Sequence, residues 1–267
     1  MKSLLKACTP RKSVFDPQKR FDVLDLSNLL GDDVDGDEFF AENFVTDGMK
    51  VLFDTAFNRF AGHSDRGIIR LTQAMGGGKT HNMIALGLLA RYPNLRKKVL
   101  GKTETTEKLG KVRVIGFTGR ESDAPFGIWG SLAEQLGKRE EFSSYYSPLA
   151  APGPTAWINL LKGDPVLVLL DELPPYLENA KSKPIGNTDL SVVTTTALAN
   201  LYVAIAKKEL SNVCLVISDL RATYESGSDL LMSSFKELEN ETGRYSLDIE
   251  PVGANTDDVY QILKIRL

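Results

Sequence analysis

The stretch GIIRLTQAMGGGKTHNMIALGLLARY, residues 67–92, constrains the fold more than any other part of the chain. GIIRLTQ reads as a strand, and Met83, Ile84, Leu86, Leu88 and Leu89 suit a buried helix, so three successive glycines join a strand to a helix. Bare glycine backbone is poor material for a core, but it can turn several N–H groups toward one point, where the dipole of the following helix also acts. Such a point attracts phosphate. Gly76, Gly77 and Gly78 are therefore read as a phosphate cradle, Lys79 as a binding and catalytic charge on the terminal phosphates, and the Thr80 hydroxyl as a Mg²⁺ ligand. The usual pattern opens with a glycine five positions before the last, and Gln73 stands there instead. His81 follows directly and is grouped with the nucleotide contacts, the plainer alternative being a helix-surface position.

Four more runs read as strands: VRVIGF (112–117), VLVLLDE (166–172), VCLVI (213–217) and YSLDIEPV (245–252). Helical patterns lie between them. Met49, Phe53, Ala56, Phe57 and Phe60 share one face behind a Thr46 N-cap. FGIWGSLAEQLG gives a second helix, TAWINLLKG a third closed by Gly163, and Leu198, Leu201, Tyr202 and Ile205 a fourth with Lys207 and Lys208 in its last turn. Alternating strands and helices predict a three-layer α/β fold with a mostly parallel five-stranded sheet. The predicted core spans residues 46–254, after an arm of one or two short helices over 1–45. Val259, Ile262, Leu263 and Leu267 lie on one side of a final helix from near Asn255, an amphipathic face suggesting a fragment of a longer protein.

In an open parallel sheet, ligands gather beyond the carboxyl ends of the strands. The glycine loop is expected at the tip of the central strand, and its partner is an acidic tip two strands away. Asp171 would accept hydrogen bonds from Mg²⁺-bound water, and Glu172 would orient and polarise the attacking water. Ser218, the first polar residue after VCLVI, would sense the γ-phosphate if its strand lies between the other two; otherwise it merely ends a strand. Arg244 could reach a neighbouring subunit's nucleotide as an arginine finger, or be an ordinary surface arginine.

Composition narrows the alternatives. Of 267 residues 42% are hydrophobic and 25% charged, with no apolar run of bilayer length, so a cytoplasmic globular protein without membrane contact is expected. Cys8 and Cys214 have no CxxC spacing, and two histidines make a zinc site unexpected. A net charge of -3 gives no global pull on nucleic acid, although the basic window Arg91–Arg113 keeps a DNA contact open beside the reading as a solvated loop. GDDVDGDEFFAE places Asp33, Asp35, Gly36 and Glu42 almost at calcium-loop spacing, but Gly31 occupies the first ligand position, so an acidic surface loop is expected. Phe126 and Trp129 are read as helix packing and Cys214 as core.

With these residues in place, the sequence resembles the AAA+ and STAND branch of P-loop ATPases from about Phe44 to the end. NFVTDGMKVLFDTAF resembles the segment before the first strand, which implies adenine contacts from Phe44 and Val45. QAMGGGKTHNMIALGLLA, IWGSLAEQLG and PVLVLLDEL together resemble the large ATPases of anti-phage defence islands. The resemblance implies ATP and Mg²⁺ as ligands, ATP hydrolysis driving or timing a larger assembly, a homo-oligomer or defence-system partners, and a helical lid that residues 255–267 would only begin. A nucleotide-gated scaffold with little hydrolysis and a DNA-translocating motor stay open as alternatives.

Overall fold

The computed structural model describes residues 24–72, 78–120, 124–218, 243–252 and 256–266, without the side chains of Arg244, Thr256 and Arg266. Five strands form one sheet: β1 (Ile68–Leu71), β2 (Arg113–Thr118), β3 (Val166–Asp171), β6 (Val213–Ser218) and β7 (Ser246–Ile249). Their order is β2-β3-β6-β1-β7, and each neighbouring pair is parallel. β3 and β6 are buried at every residue, which is why they read as unbroken apolar runs rather than alternating ones. The expected position of β6 between β1 and β3 is found. The centre of the sheet, however, is β6, so the glycine loop leaves the fourth strand and not the central one. Strand propensity could not reveal this, because order is decided by how the crossovers pack.

Successive residues of each strand face opposite layers. Val166, Val168 and Leu170 join Val213, Leu215 and Ile217 in one core, whereas Leu167, Leu169, Cys214 and Val216 belong to the other. The first core is covered by α7 (Gly127–Gln135), α8 (Pro154–Leu161), α9 (Leu173–Ala180) and α10 (Leu190–Ile205). The second is covered by α1 (Leu26–Gly31), α2 (Gly36–Glu42), α3 (Asp47–Phe60), α4 (Lys79–Arg91) and α5 (Pro93–Leu100). The chain leaving β1 therefore enters one layer, and the chain leaving β3 enters the other. Diverging exits open a crevice at the carboxyl edge, the place where α/β sheets bind ligands.

Several local expectations hold. Thr46 caps α3 by accepting from the Met49 amide, and Gly163 follows the end of α8 at φ 125. Burial pushes the Cys214 thiol up to about 12, as a core cysteine requires. Val259 and Leu263 stand on the exposed side of α11 (Thr256–Arg266), and Leu267 lies outside the described residues.

Others need correction. α10 ends at Ile205 with no basic residue in its last turn, because Lys207 and Lys208 fall in the following 3-10 turn. A helix, α9, and a small hairpin of β4 (Pro184–Ile185) and β5 (Thr188–Asp189) come between β3 and α10. Two short helices are present before residue 46, and both join the second core: α1 lies against β2 and α4, and α2 against α4 and α5, with Leu26, Leu29 and Phe39 buried. The basic window is not one loop, since it holds α5 and α6 (Glu104–Lys108), but much of it is solvated as expected, and its arginines are the cations tied to the fold. Arg96 is fully buried, donating to the Leu109 and Gly110 carbonyls with its guanidinium 5.1 Å from the Phe57 ring centre. Arg91 donates to Leu29 O, Lys98 pairs with Asp37, Lys108 with Glu104, and Arg113 donates to Gln135 O.

A second buried cation ties down the opposite, amino edge. Arg59, 3% exposed, donates to the carbonyls of Val213 (3.0 Å), Ser64 and Asp65 (both 3.2 Å), Ile205 (2.8 Å) and Leu210 (2.7 Å). Burial lowers its pKa from the ordinary arginine value, and the carbonyl dipoles at the end of α10 offset that cost. Arg59→Met leaves three buried and two part-buried carbonyl acceptors without their donor and is expected to destabilise the fold by about 3 kcal/mol or more. Denaturant titration reads this as a lower midpoint at unchanged slope; an unchanged midpoint contradicts it.

Candidate functional site

Of the residues expected to act together, the structure joins four by three hydrogen bonds. Thr80, in the first turn of α4, donates from Oγ1 to Asp171 Oδ2 at 2.5 Å across 91 positions of sequence. The other oxygen of that carboxylate, Oδ1, accepts the Glu172 amide at 3.0 Å, and Ser218 Oγ accepts the same N–H at 3.1 Å. Asp171 and Ser218, each 3% exposed, end the two fully buried strands side by side. The polar tips are thus consequences of where the apolar runs stop. Ser218 meets the chain at Glu172's backbone, a contact that the sensing role had not anticipated.

Lys79 is the first residue of α4, and Gly78 is its N-cap at φ 78, with no side-chain cap. The amides of that first turn are what a helix start offers an anion. Gly76 and Gly77 lie outside the described residues. Phe44 and Val45 are half-buried just before α3. Thr46 Oγ1 donates to Pro251 O at 2.6 Å, and Thr72 N donates to Ile249 O at 2.9 Å, so this segment shares the carboxyl edge with the exit of β1. His81 stacks on Phe39 with ring centres 4.6 Å apart, a packing role against α2. Arg244 sits in the short turn Gly243–Tyr245 that precedes β7, at the amino end of a parallel strand and thus at the edge opposite Asp171. Its side chain is outside the described set. From that edge it could serve only another chain's site.

Glu172 has an unexpected setting. It is not the last strand residue but the N-cap of α9, at φ 47 and ψ 41, a left-handed conformation that costs a non-glycine residue about 1–3 kcal/mol. Arg120, two residues beyond β2, grips its carboxylate through both Nε and Nη2, the latter 3.1 Å from Oε1. This hydrogen bond and the charge behind it raise the Arg120 pKa, with Asp171 and Asp25 adding smaller contributions. Asp25, the N-cap of α1, is itself held below the usual carboxylate range, first by the Ser27 hydroxyl, with Arg120 contributing least. Neither Arg120 nor Asp25 was picked out from sequence. Thr118 pairs in register with Asp171, so the polar residues just past β2 had the same claim to attention as those past β3.

Hydroxyl and carboxylate oxygens are the hard donors that Mg²⁺ prefers, and Thr80 with Asp171 fits that chemistry. Among the described residues no cluster of three or more His, Cys, Asp or Glu is arranged to hold a metal by itself. The acidic segment 31–42 is accounted for by capping: Asp35 caps α2, and Asp32, at φ 68, ends α1.

A five-stranded parallel sheet between two layers of helices places the chain in the α/β class. The chain belongs to the DUF499 N-terminal domain family, which residues 25–116 and 120–241 match. That family comprises large proteins associated with defence islands. No curated protein matches the chain. Among the described residues no helix is long and apolar enough to cross a membrane.

Arg120 reaches Glu172 because Gly119 lets two backbones touch. A Cβ on Gly119 would stand 1.8 Å from Glu172 O and 2.6 Å from its carbonyl carbon. Gly119→Ala is expected to lower the thermal midpoint by roughly 5 °C or more, since backbone must move. An unchanged midpoint by calorimetry shows that the turn has room to spare.

Proposed function

We propose that the carboxyl edge binds MgATP and hydrolyses it, and that the cycle powers or times a larger assembly in defence against foreign DNA. The observation that carries this reading is the Thr80–Asp171 contact at 2.5 Å. It joins the residue after the glycine-loop lysine to the acidic tip of a different strand, the pairing that a metal held between a phosphate loop and a carboxylate requires. Lys79 and the first-turn amides of α4 hold the phosphates, while Thr80 and Asp171 hold Mg²⁺, which neutralises charge developing on the transferred phosphoryl group. Glu172 orients and deprotonates the attacking water, and Ser218 fixes the backbone from which Glu172 projects. Phe44 and Val45 lie on the same edge and suit the adenine.

A second reading has its own support. The Glu172 carboxylate is engaged by Arg120 rather than open to a water, as a nucleotide-gated scaffold that scarcely hydrolyses would have it. The committed cations of residues 91–113 make a DNA-translocating motor the least supported of the three.

Lys79→Ala is expected to weaken binding of a fluorescent MgATP analogue at least about a hundredfold, through loss of a charge on the terminal phosphates. Unchanged affinity removes the proposal. Glu172→Gln should preserve binding and lower phosphate release by about a hundredfold or more. Arg120→Ala separates the two readings. Faster release than wild type identifies the pair as a restraint on an ATPase, and release that stays at background favours the scaffold.

A further inference from the structure

Every residue of α4 from Asn82 to Ala90 is buried, and Asn82 is the one polar residue among them. Its carboxamide is only half satisfied. Nδ2 donates to Gly78 O at 2.9 Å, beside the backbone bond that Asn82 N makes to the same carbonyl at 2.9 Å. Oδ1 is buried and has no hydrogen-bond partner among the described residues. The Nδ2 bond also settles which way the amide lies, since the flipped carboxamide would set two carbonyl oxygens against each other.

A buried acceptor without a donor is a net cost to the folded state, and the helix would be cheaper with an apolar residue here, like those at 83, 84, 86, 88 and 89. Local rules broken without a local gain tend to mark functional positions. The gain here lies at Gly78. That residue is left-handed, it has no Cβ to restrict it, and it directly precedes Lys79 and Thr80. Two donors on its carbonyl prevent the peptide from rotating, and the orientation of that peptide sets where the first-turn amides and the lysine point.

We propose that Asn82 is a positioning residue for phosphate binding, fixing the Gly78 peptide at some expense to stability. The assignment rests on the MgATP reading. Its signature is a change of opposite sign in two measurements, which a merely structural residue would not give. In the 267-residue chain, Asn82→Leu should raise the thermal midpoint by a few degrees and weaken binding of the fluorescent MgATP analogue about tenfold. Asn82→Ser, whose hydroxyl can donate to the carbonyl four residues back, should bring affinity within about threefold of wild type. Unchanged affinity in Asn82→Leu overturns the proposal whatever the midpoint does, and so does a midpoint that falls in step with affinity. Should Asn82→Leu fail to fold, an Asn82→Ser variant no better than Asn82→Ala overturns it instead. Lys79→Ala keeps the two failures apart. If it abolishes binding while Asn82→Leu does not alter it, only the role of Asn82 is lost; if Lys79→Ala is itself silent, the MgATP reading fails first.

Discussion

Burial of β3 and β6 on both faces is the constraint from which the rest follows. Their side chains alternate between two cores and their backbones are paired on both edges, so neither strand can hold a polar side chain along its length. Polar chemistry is confined to the residue at which each run stops. Those residues are Asp171 and Ser218, and parallel pairing sets them next to each other at the same edge. The helix after the glycine loop covers one face and the helices after β3 cover the other, so the chain leaves β1 and β3 toward opposite layers.

At that edge a single carboxylate does two jobs. Asp171 takes the Thr80 hydroxyl on one oxygen and the Glu172 amide on the other. The first contact draws the start of α4 toward β3. The second, reinforced by Ser218, holds Glu172 in a conformation that an isolated chain would seldom adopt. Anything that pulls Asp171 toward a metal alters both contacts together. If Mg²⁺ binds as proposed, it would bear through Asp171 on the direction in which Glu172 projects.

The strands and their polar tips were legible because a run such as VLVLLDE carries its own boundary: five buried apolar residues, then two carboxylates. α4 was legible for the same reason. Features that depend on tertiary company were not. Pro174 and Pro175 suggest a break after Glu172, yet proline is tolerated in a helix's first turn and α9 begins there. Lys and Arg at 91, 96, 97 and 98 suggest solvent, yet Arg96 is buried because backbone carbonyls and the Phe57 ring receive it. Leu26, Leu29 and Phe39 are too few to announce that their short helices join the main core. Arg120 stands two residues past a strand with no pattern around it, and only the fold brings it to Glu172.

The charges at the carboxyl edge suggest why such an arginine is there. Asp25, Asp171 and Glu172 gather around Arg120, and its raised pKa reflects all three. A triphosphate arriving at the start of α4 adds several negative charges to an edge already rich in carboxylates, and in a partly desolvated crevice like charges repel more strongly than in water. Lys79 and the helix dipole oppose the phosphates from one side. Under the MgATP reading Mg²⁺ would offset Asp171, whereas the cation that meets the Glu172 carboxylate is Arg120. In the proposed site the Arg120–Glu172 contact would thus decide how far the Glu172 carboxylate is available to an attacking water.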